Sequence, residues 1–312
     1  MPSSPGPLDA LPPLFTVAQA RDLGVSRGRL RGRHVQAPAH GLRVRTGGAV
    51  GLPDLVRALQ SRAPGTVASH TTAAQLWGIW LPRELEGGPI HLSRPRQAGG
   101  APRRRGVVGH EMDPRAAVVV HRGIPLTTPA ATWAALAAGG LGLDDLVAAG
   151  DSLLQRYDGP AGQREPGAHP RCTVEELRAL VEEARGRRGA RRLREALDLL
   201  RPGADSRPET LVRLAVVQAG FPEPAVNPLV RLSDGSCMPV DLVWERERVC
   251  IQYEGDHHRT DPRQWRRDIE RDRRMQAEGW IVLRVTASVL GPVGLARLVD
   301  DLAQYLPRAL DT

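Results

Sequence analysis

The chain contains no lysine: all 43 of its basic residues are arginine. That closes any chemistry that calls on a lysine side chain. Beside 33 Gly and 27 Pro it most simply reflects the base composition of the genome, so arginine abundance alone is no sign of nucleic-acid binding. Aromatic residues are scarce at 4%, and no apolar run approaches the ~20 residues of a membrane-spanning helix, which argues against a helical membrane protein. Only three cysteines occur, Cys172, Cys237 and Cys250. They form no CxxC pair and leave one over in any pairing, which argues against a disulfide framework and a cysteine-rich zinc site and fits a reducing cytoplasm. Residues 1–14 lack both an arginine cluster and a continuous apolar segment, so no secretory signal is expected.

What is present is an ordinary globular balance, 41% hydrophobic and 25% charged over 312 residues, enough for two domains or three small ones. The net charge of +8 is unevenly placed. Residues 1–50 carry seven arginines against two aspartates, residues 51–150 ten against seven acids, and the remainder 26 against 26. A basic excess confined to the first half concentrates a protein on phosphate backbones, so DNA is the expected partner.

Residues 1–50 read as helix (14–24, stopped by Gly24), a second, basic helix from Ser26 and a small strand or hairpin at 40–45. This is the order of a winged helix-turn-helix, in which Arg27, Arg29 and Arg31 on the second helix and Arg43 on the wing would meet DNA. A plain helical hairpin with a solvated basic face has the same pattern. Residues 51–170 read as a small α/β middle domain with helices near 52–59, 71–77 and 132–138, strands near 89–92 and 117–120, and a Gly/Pro-rich loop over 157–171. Ser69 beside His70 suggests a nucleophile with its base. No Gly-x-Ser-x-Gly elbow surrounds it, and Ser69, Thr71 and Thr72 precede an apolar helical pattern, so they read as helix caps. Residues 171–202 read as connecting helices of balanced charge.

Residues 203–312 give the sharpest pattern: helix 207–219, strands 225–232, 238–244 and 248–253, an Arg-rich helix from Asp261-Pro262 to Gly279, strand 280–286 and a final amphipathic helix. Asp241 interrupts an apolar strand, and an unpaired buried carboxylate is expensive. Gln252 and Glu254 share one face of the next strand. In a hairpin these three side chains can converge and hold Mg²⁺ (or Mn²⁺) through oxygen atoms. His257 and His258 follow at a turn, where His258 could move a proton to or from an attacking water. Arg267 and Arg271 on the following helix can meet phosphates, although their alternation with Asp268, Glu270 and Asp272 also suits a solvated, salt-bridged face.

The run Val240-Asp241, Ile251-Gln-Tyr-Glu-Gly-Asp-His-His258, Arg267-Asp268 to Arg271 and Gly279-Trp-Ile-Val-Leu-Arg284 resembles the PD-(D/E)XK nuclease superfamily. Within it the likeness is to the bacterial domain related to very-short-patch mismatch repair endonucleases. The resemblance covers roughly residues 203–306 and implies an α/β restriction-endonuclease-like domain of order α, three strands, α, β, α. It also implies that Glu209 supports the metal site, a role compatible with a capping box formed with Ser206. The first 50 residues resemble, more weakly, the winged-helix domain of abortive-infection type IV antitoxins. The chain departs from the superfamily where the acid-x-lysine strand reads Gln252-Tyr253-Glu254. The lysine is missing, a position commonly acidic already in the resembled subfamily, and an amide replaces the usual acid, which should weaken Mg²⁺ binding unless Glu254 or Asp256 compensates. The expected function is a Mg²⁺-dependent endonuclease. The alternative is a non-catalytic DNA-binding regulator or antitoxin-like protein, and a third possibility is an RNA-directed nuclease of a toxin–antitoxin pair. Expected partners are DNA, a second copy in a homodimer, or the other half of a toxin–antitoxin pair, with no membrane.

Overall fold

The computed structural model describes residues 7–113, 117–154, 171–255 and 262–308, with side chains from residue 269 onward in the last stretch. The chain divides into two compact units, residues 1–78 with 82–139 and residues 79–81 with 140–312. Both mix helices with sheets, and no described helix is long and apolar enough to cross a membrane.

In the first unit, Leu14–Thr16 (β1) leads into the helix Val17–Asp22 (α1), where continuous helix is expected over 14–24. Thr16 decides the split. Its backbone is extended, its Oγ1 accepts from Gln19 N at 3.1 Å, and Gln19 Oε1 accepts from Thr16 N at 2.8 Å, a capping box that lets the helix start only after it. β1 then joins Val35–Gln36 (β2) and Leu42–Arg45 (β3) in an antiparallel sheet of order β1-β3-β2. The basic helix expected from Ser26 is a single 3-10 turn, Arg29–Arg31, between Gly28 and Gly32. Glycine at both ends disfavours the longer helix.

The remainder of this unit is Leu52–Ser61 (α2), Val67–Ala68 (β4), His70–Trp77 (α3), Ile90–Pro95 (β5), Val107–Met112 (β6), Val118–His121 (β7), Ile124–Thr127 (β8) and Pro129–Gly139 (α4). The five strands form one sheet of order β6-β5-β4-β8-β7, parallel at β5–β6 and β4–β8 and antiparallel elsewhere. Val56, Leu59, Ala68, Ala73, Leu92 and Leu126 make its core. Ser69 stands at the N-cap position of α3, but its hydroxyl does not cap the helix. It lies 3.0 Å from His70 Nδ1 and accepts from Ser93 Oγ at 2.6 Å. The capping role expected of Ser69 gives way to these partners on its neighbour and on the adjacent strand.

The second unit continues with Leu143–Leu154 (α5), Val174–Glu183 (α6), Ala190–Leu199 (α7) and Arg207–Gln218 (α8). α5 is buried from Leu146 to Leu154 and packs on α7 and α8. Ala225–Val226 (β9), Leu229–Arg231 (β10), Cys237–Pro239 (β11), Leu242–Trp244 (β12), Val249–Glu254 (β13), Pro262–Ala277 (α9), Ile281–Thr286 (β14) and Pro292–Leu302 (α10) follow. Two of the three strands expected after α8 are therefore each broken. The first breaks at Asn227, whose φ of +46° is left-handed, and the second at Asp241; Asn227 N donates to the Asp241 carbonyl at 2.8 Å. β10 and β11 make a separate hairpin, while the main sheet runs β14-β13-β12-β9. β12 is antiparallel to β9 and β13, and β13 is parallel to β14 with α9 as the crossover that parallel pairing requires. Alternation sends Leu242, Trp244, Val249 and Ile251 into one core with Val212, Val216, Leu298 and Leu302, and Val243 and Cys250 into another with Met275 and Trp280. With both faces covered, β12 is buried along its whole length.

Candidate functional site

Asp241 stands at the break between β11 and β12, where the charge of Arg271 on α9 acts on its carboxyl. Extending the β12–β13 register by one residue sets it opposite Gln252. Its Oδ1 accepts from Gln252 Nε2 at 3.3 Å, its Oδ2 accepts from Tyr253 N at 2.6 Å, and its own N–H donates to Gln252 Oε1 at 3.4 Å. Glu209, on the first turn of α8, is buried: Oε1 accepts from Ser206 Oγ at 2.7 Å, and Oε2 accepts from Asp205 N at 2.8 Å and Asn227 Nδ2 at 3.0 Å. Asn227 thus ties Glu209 through its side chain to Asp241 through its backbone. Ser206 Oγ also accepts from Glu209 N at 3.4 Å, so the capping and site geometries coexist in one residue.

Burial pushes the Asp241 carboxyl up to about 7, helped by the neighbouring carboxylates of Glu209 and Asp205 and opposed by the Tyr253 N–H and the charge of Arg271. Burial also raises Glu209 against its three hydrogen bonds. Two acids held together in this way are stabilised by a cation or a proton. Because the folded Asp241 value lies above the unfolded 3.8, its neutral form favours the fold. That contribution is whole below about pH 4 and is lost as pH rises through about 7. Asp241→Asn is accordingly expected to be more stable than the native chain at pH 8 without divalent cations, by about 1–2 kcal/mol or about 3–6 °C in melting temperature. The gap should close by pH 4, and melts across that range check it.

Glu254 is engaged elsewhere. β13–β14 pairing sets Gln252 against Arg284, and Glu254, two residues along the same face, is ion-paired with that guanidinium. Arg284 also donates through Nε to Asp272 Oδ2 at 2.5 Å. Among the described residues no hydrogen bond joins Glu254 to Asp241. Asp272, expected on a solvated face, is largely buried, and among the described residues its Oδ1 has no hydrogen-bond partner although Arg271 Nε lies 3.9 Å away. Arg271 is thus set against carboxylates. His257, His258 and the side chain of Arg267 lie outside the described residues.

A second polar feature lies in the first unit. A cleft of about 530 Å³ is lined by Arg21, Arg27, Arg31, Arg43, Arg62 and Arg105. No acid is among its described lining residues. Three of the four arginines expected to meet DNA, Arg27, Arg31 and Arg43, converge here, while Arg29 is exposed outside it. Arg43 is partly committed, donating to the Leu30 carbonyl at 3.1 Å and the Leu42 carbonyl at 2.8 Å. The buried Arg62 Nε has no hydrogen-bond partner among the described residues. Arg21, Arg62 and Arg105 come from separate stretches of chain, and only the fold unites them with the others.

The chain matches no protein-family model. It is 31% identical over 140 residues to the uncharacterized proteins MT2308 and Rv2248 of two Mycobacterium tuberculosis strains, a stretch covering 45% of this chain. The chain spans 51%, about half, of the length of these relatives. A solved structure, the RV2827C protein of Mycobacterium tuberculosis, aligns with 60% of this chain and 72% of its own at 19% identity and a TM-score of 0.37.

Proposed function

We propose that the second unit hydrolyses phosphodiester bonds of DNA with a divalent cation and that the arginine cleft of the first unit binds the phosphate backbone. The observation that carries this reading is the junction of Asp241, Gln252 and Glu209 at the break between β11 and β12. It is a partly buried cluster of hard oxygen donors in which a cation would offset the repulsion between Asp241 and Glu209. The donor set fits Mg²⁺ or Mn²⁺ in kind, since its atoms are carboxylate and amide oxygens. Asp241 and Gln252 would hold the ion. Glu209, with both oxygens already bonded, positions Asp241 through Asn227. When bound, the ion polarises a phosphoryl oxygen and lowers the pKa of water. The Tyr253 N–H fixes the Asp241 carboxylate, and the charge of Arg271 acts on it, while Arg284 is already paired with Glu254 and Asp272. Proton transfer by His258 rests on its place in the sequence alone.

A second reading, a DNA-binding regulator with a non-catalytic nuclease-like unit, is favoured by two specific features. Gln252 brings no charge, and Glu254 is neutralised by Arg284. One assay separates the two: incubation of supercoiled and mismatched DNA with the protein, with and without Mg²⁺ or Mn²⁺. Metal-dependent nicking supports the hydrolase, and binding without nicking on any substrate supports the regulator.

Both readings place DNA affinity in the arginine cleft. Arg27, Arg31 and Arg105 are exposed, so replacing all three by alanine should leave the fold intact. The slope of log K against log salt is then expected to fall in magnitude by about 2–3, with a similar loss on every sequence. Fluorescence anisotropy across a salt series checks it, and an unchanged slope would remove the cleft from the binding surface.

A further inference from the structure

His70 opens α3, His91 lies on β5 and His110 on β6. The parallel β5–β6 register pairs Ser93 with His110, so His91, two residues before Ser93, projects from the same face beside it. β4 leads directly into α3 and brings His70 over that face. One potential ligand atom from each imidazole lies within 4.8 Å of the others. His91 Nδ1 and His110 Nε2 are 2.9 Å apart, and the rings of His70 and His110 stack with centroids 3.6 Å apart.

We propose that His70, His91 and His110 form a binding site for a zinc-class divalent ion, with water in the fourth position. Two donors on a tetrahedral zinc lie about 3.3 Å apart, from bonds of about 2.0–2.1 Å. The His91–His110 pair is already near that spacing, and the widest pair has about 1.5 Å to close. Side-chain rotation that turns His110 out of its stack on His70 would close it. The ion would take the place of the proton now lying between His91 Nδ1 and His110 Nε2, with that proton moving to an outer ring nitrogen. His70 has the outer partner that metal-bound imidazoles commonly keep, Ser69 Oγ 3.0 Å from Nδ1, and in the tautomer whose Nδ1 donates to it Nε2 carries the lone pair. Ser93 Oγ in turn donates to Ser69 Oγ at 2.6 Å and fixes that hydroxyl. Burial holds His70 down to about 3 and His110 to about 4 and also lowers His91, so all three are neutral ligands at neutral pH. His70 is further held at φ +50°, a strained setting for a non-glycine residue. Three histidines, not carboxylates, select zinc, cobalt or nickel over magnesium. The site is thus chemically distinct from the acidic cluster at Asp241.

The test is titration of the chelator-stripped full-length protein with Co²⁺, followed by its visible d–d absorption, and with Zn²⁺ by calorimetry. One equivalent of Co²⁺ with tetrahedral-type bands, displaced by Zn²⁺ but not by Mg²⁺, is expected. His91→Gln and His110→Gln should each weaken uptake at least about 100-fold, and Ser69→Ala, which removes no ligand, about 10-fold. His121→Gln and Asp241→Asn should leave it unchanged, which separates this site from the proposed nuclease centre. Absence of stoichiometric uptake by the native chain overturns the proposal. So does uptake that survives in a His91→Gln or His110→Gln variant with native circular dichroism, since the ion would then sit on other histidines.

Discussion

Replacing Arg213 by methionine is expected to destabilise the second unit by about 3–5 kcal/mol, the usual consequence of removing one partner from a buried ion pair. Arg213 on α8 and Asp151 on α5 are both essentially inaccessible. Arg213 Nη2 donates to Asp151 Oδ2 at 3.3 Å and to the Leu199 carbonyl at 2.8 Å, and Nη1 to Glu223 Oε1 at 2.7 Å. Asp151 also accepts from Arg201 N at 2.8 Å and Thr210 Oγ1 at 2.9 Å, so one carboxylate links α5, α8 and the chain after α7. Burial raises Asp151 to about 6 even with Arg213 beside it. A folded value above the unfolded 3.8 means that the neutral carboxyl favours the fold, fully below about pH 4 and progressively less as pH rises through about 6. Without the guanidinium the folded value climbs further, so the loss in Arg213→Met should be larger at pH 8 than at pH 5. Among the described residues the buried Nε of Arg213 has no partner, which leaves the native pair imperfectly satisfied. The double variant Asp151→Leu with Arg213→Met should therefore recover part of the stability, less what is lost where Arg201 N, Thr210 Oγ1 and the Leu199 carbonyl lose their partners. Urea denaturation at the two pH values measures this, and a single-variant loss under about 1 kcal/mol at pH 8 would contradict it.

The same residues show what the sequence made legible and what it hid. Local chemistry was readable where it acts over three or four residues. Thr16 with Gln19, Thr173 with Glu176 and Ser206 with Glu209 each start a helix as their spacing suggests. The sequence also singled out Asp241, because a lone acid in an apolar strand needs a reason. It did not reveal that the strand breaks there, since the break depends on Asn227 adopting a left-handed backbone and bonding to Asp241 across the sheet. Asp272 looks in the sequence like one charge among many on α9, although it stands three residues before the buried Met275 and so shares its inward side. The pairing of Glu254 with Arg284 was hidden because it follows from the parallel β13–β14 register. The three histidines were hidden most completely. No spacing rule joins positions 70, 91 and 110, and the sequence pattern marks no strand at β6.

At the proposed metal site, Asp241→Asn is expected to reduce Mg²⁺-dependent nicking by at least about 100-fold while DNA affinity in the absence of metal stays within about twofold. The variant keeps the shape of the side chain and an oxygen able to accept from Tyr253 N, so what it removes is charge and the acceptor that faces Gln252 Nε2. Gln252→Glu runs the argument in the opposite direction. It puts a carboxylate opposite Asp241 in place of a neutral amide, and the two acids then repel each other until a cation arrives. Its melting temperature should fall in chelator and recover on addition of Mg²⁺ or Mn²⁺, by an amount that follows the saturation of the site. Its nicking rate at subsaturating Mg²⁺ should exceed that of the native chain by about 10-fold, since one more charged ligand mainly strengthens ion binding. Native nicking with an inactive Asp241→Asn and an improved Gln252→Glu would establish Asp241 and Gln252 as ion-binding positions. A Gln252→Glu chain that loses stability and gains nothing from either cation would mean that the acids at this break serve the fold alone, leaving DNA binding through the arginine cleft as the activity of the molecule.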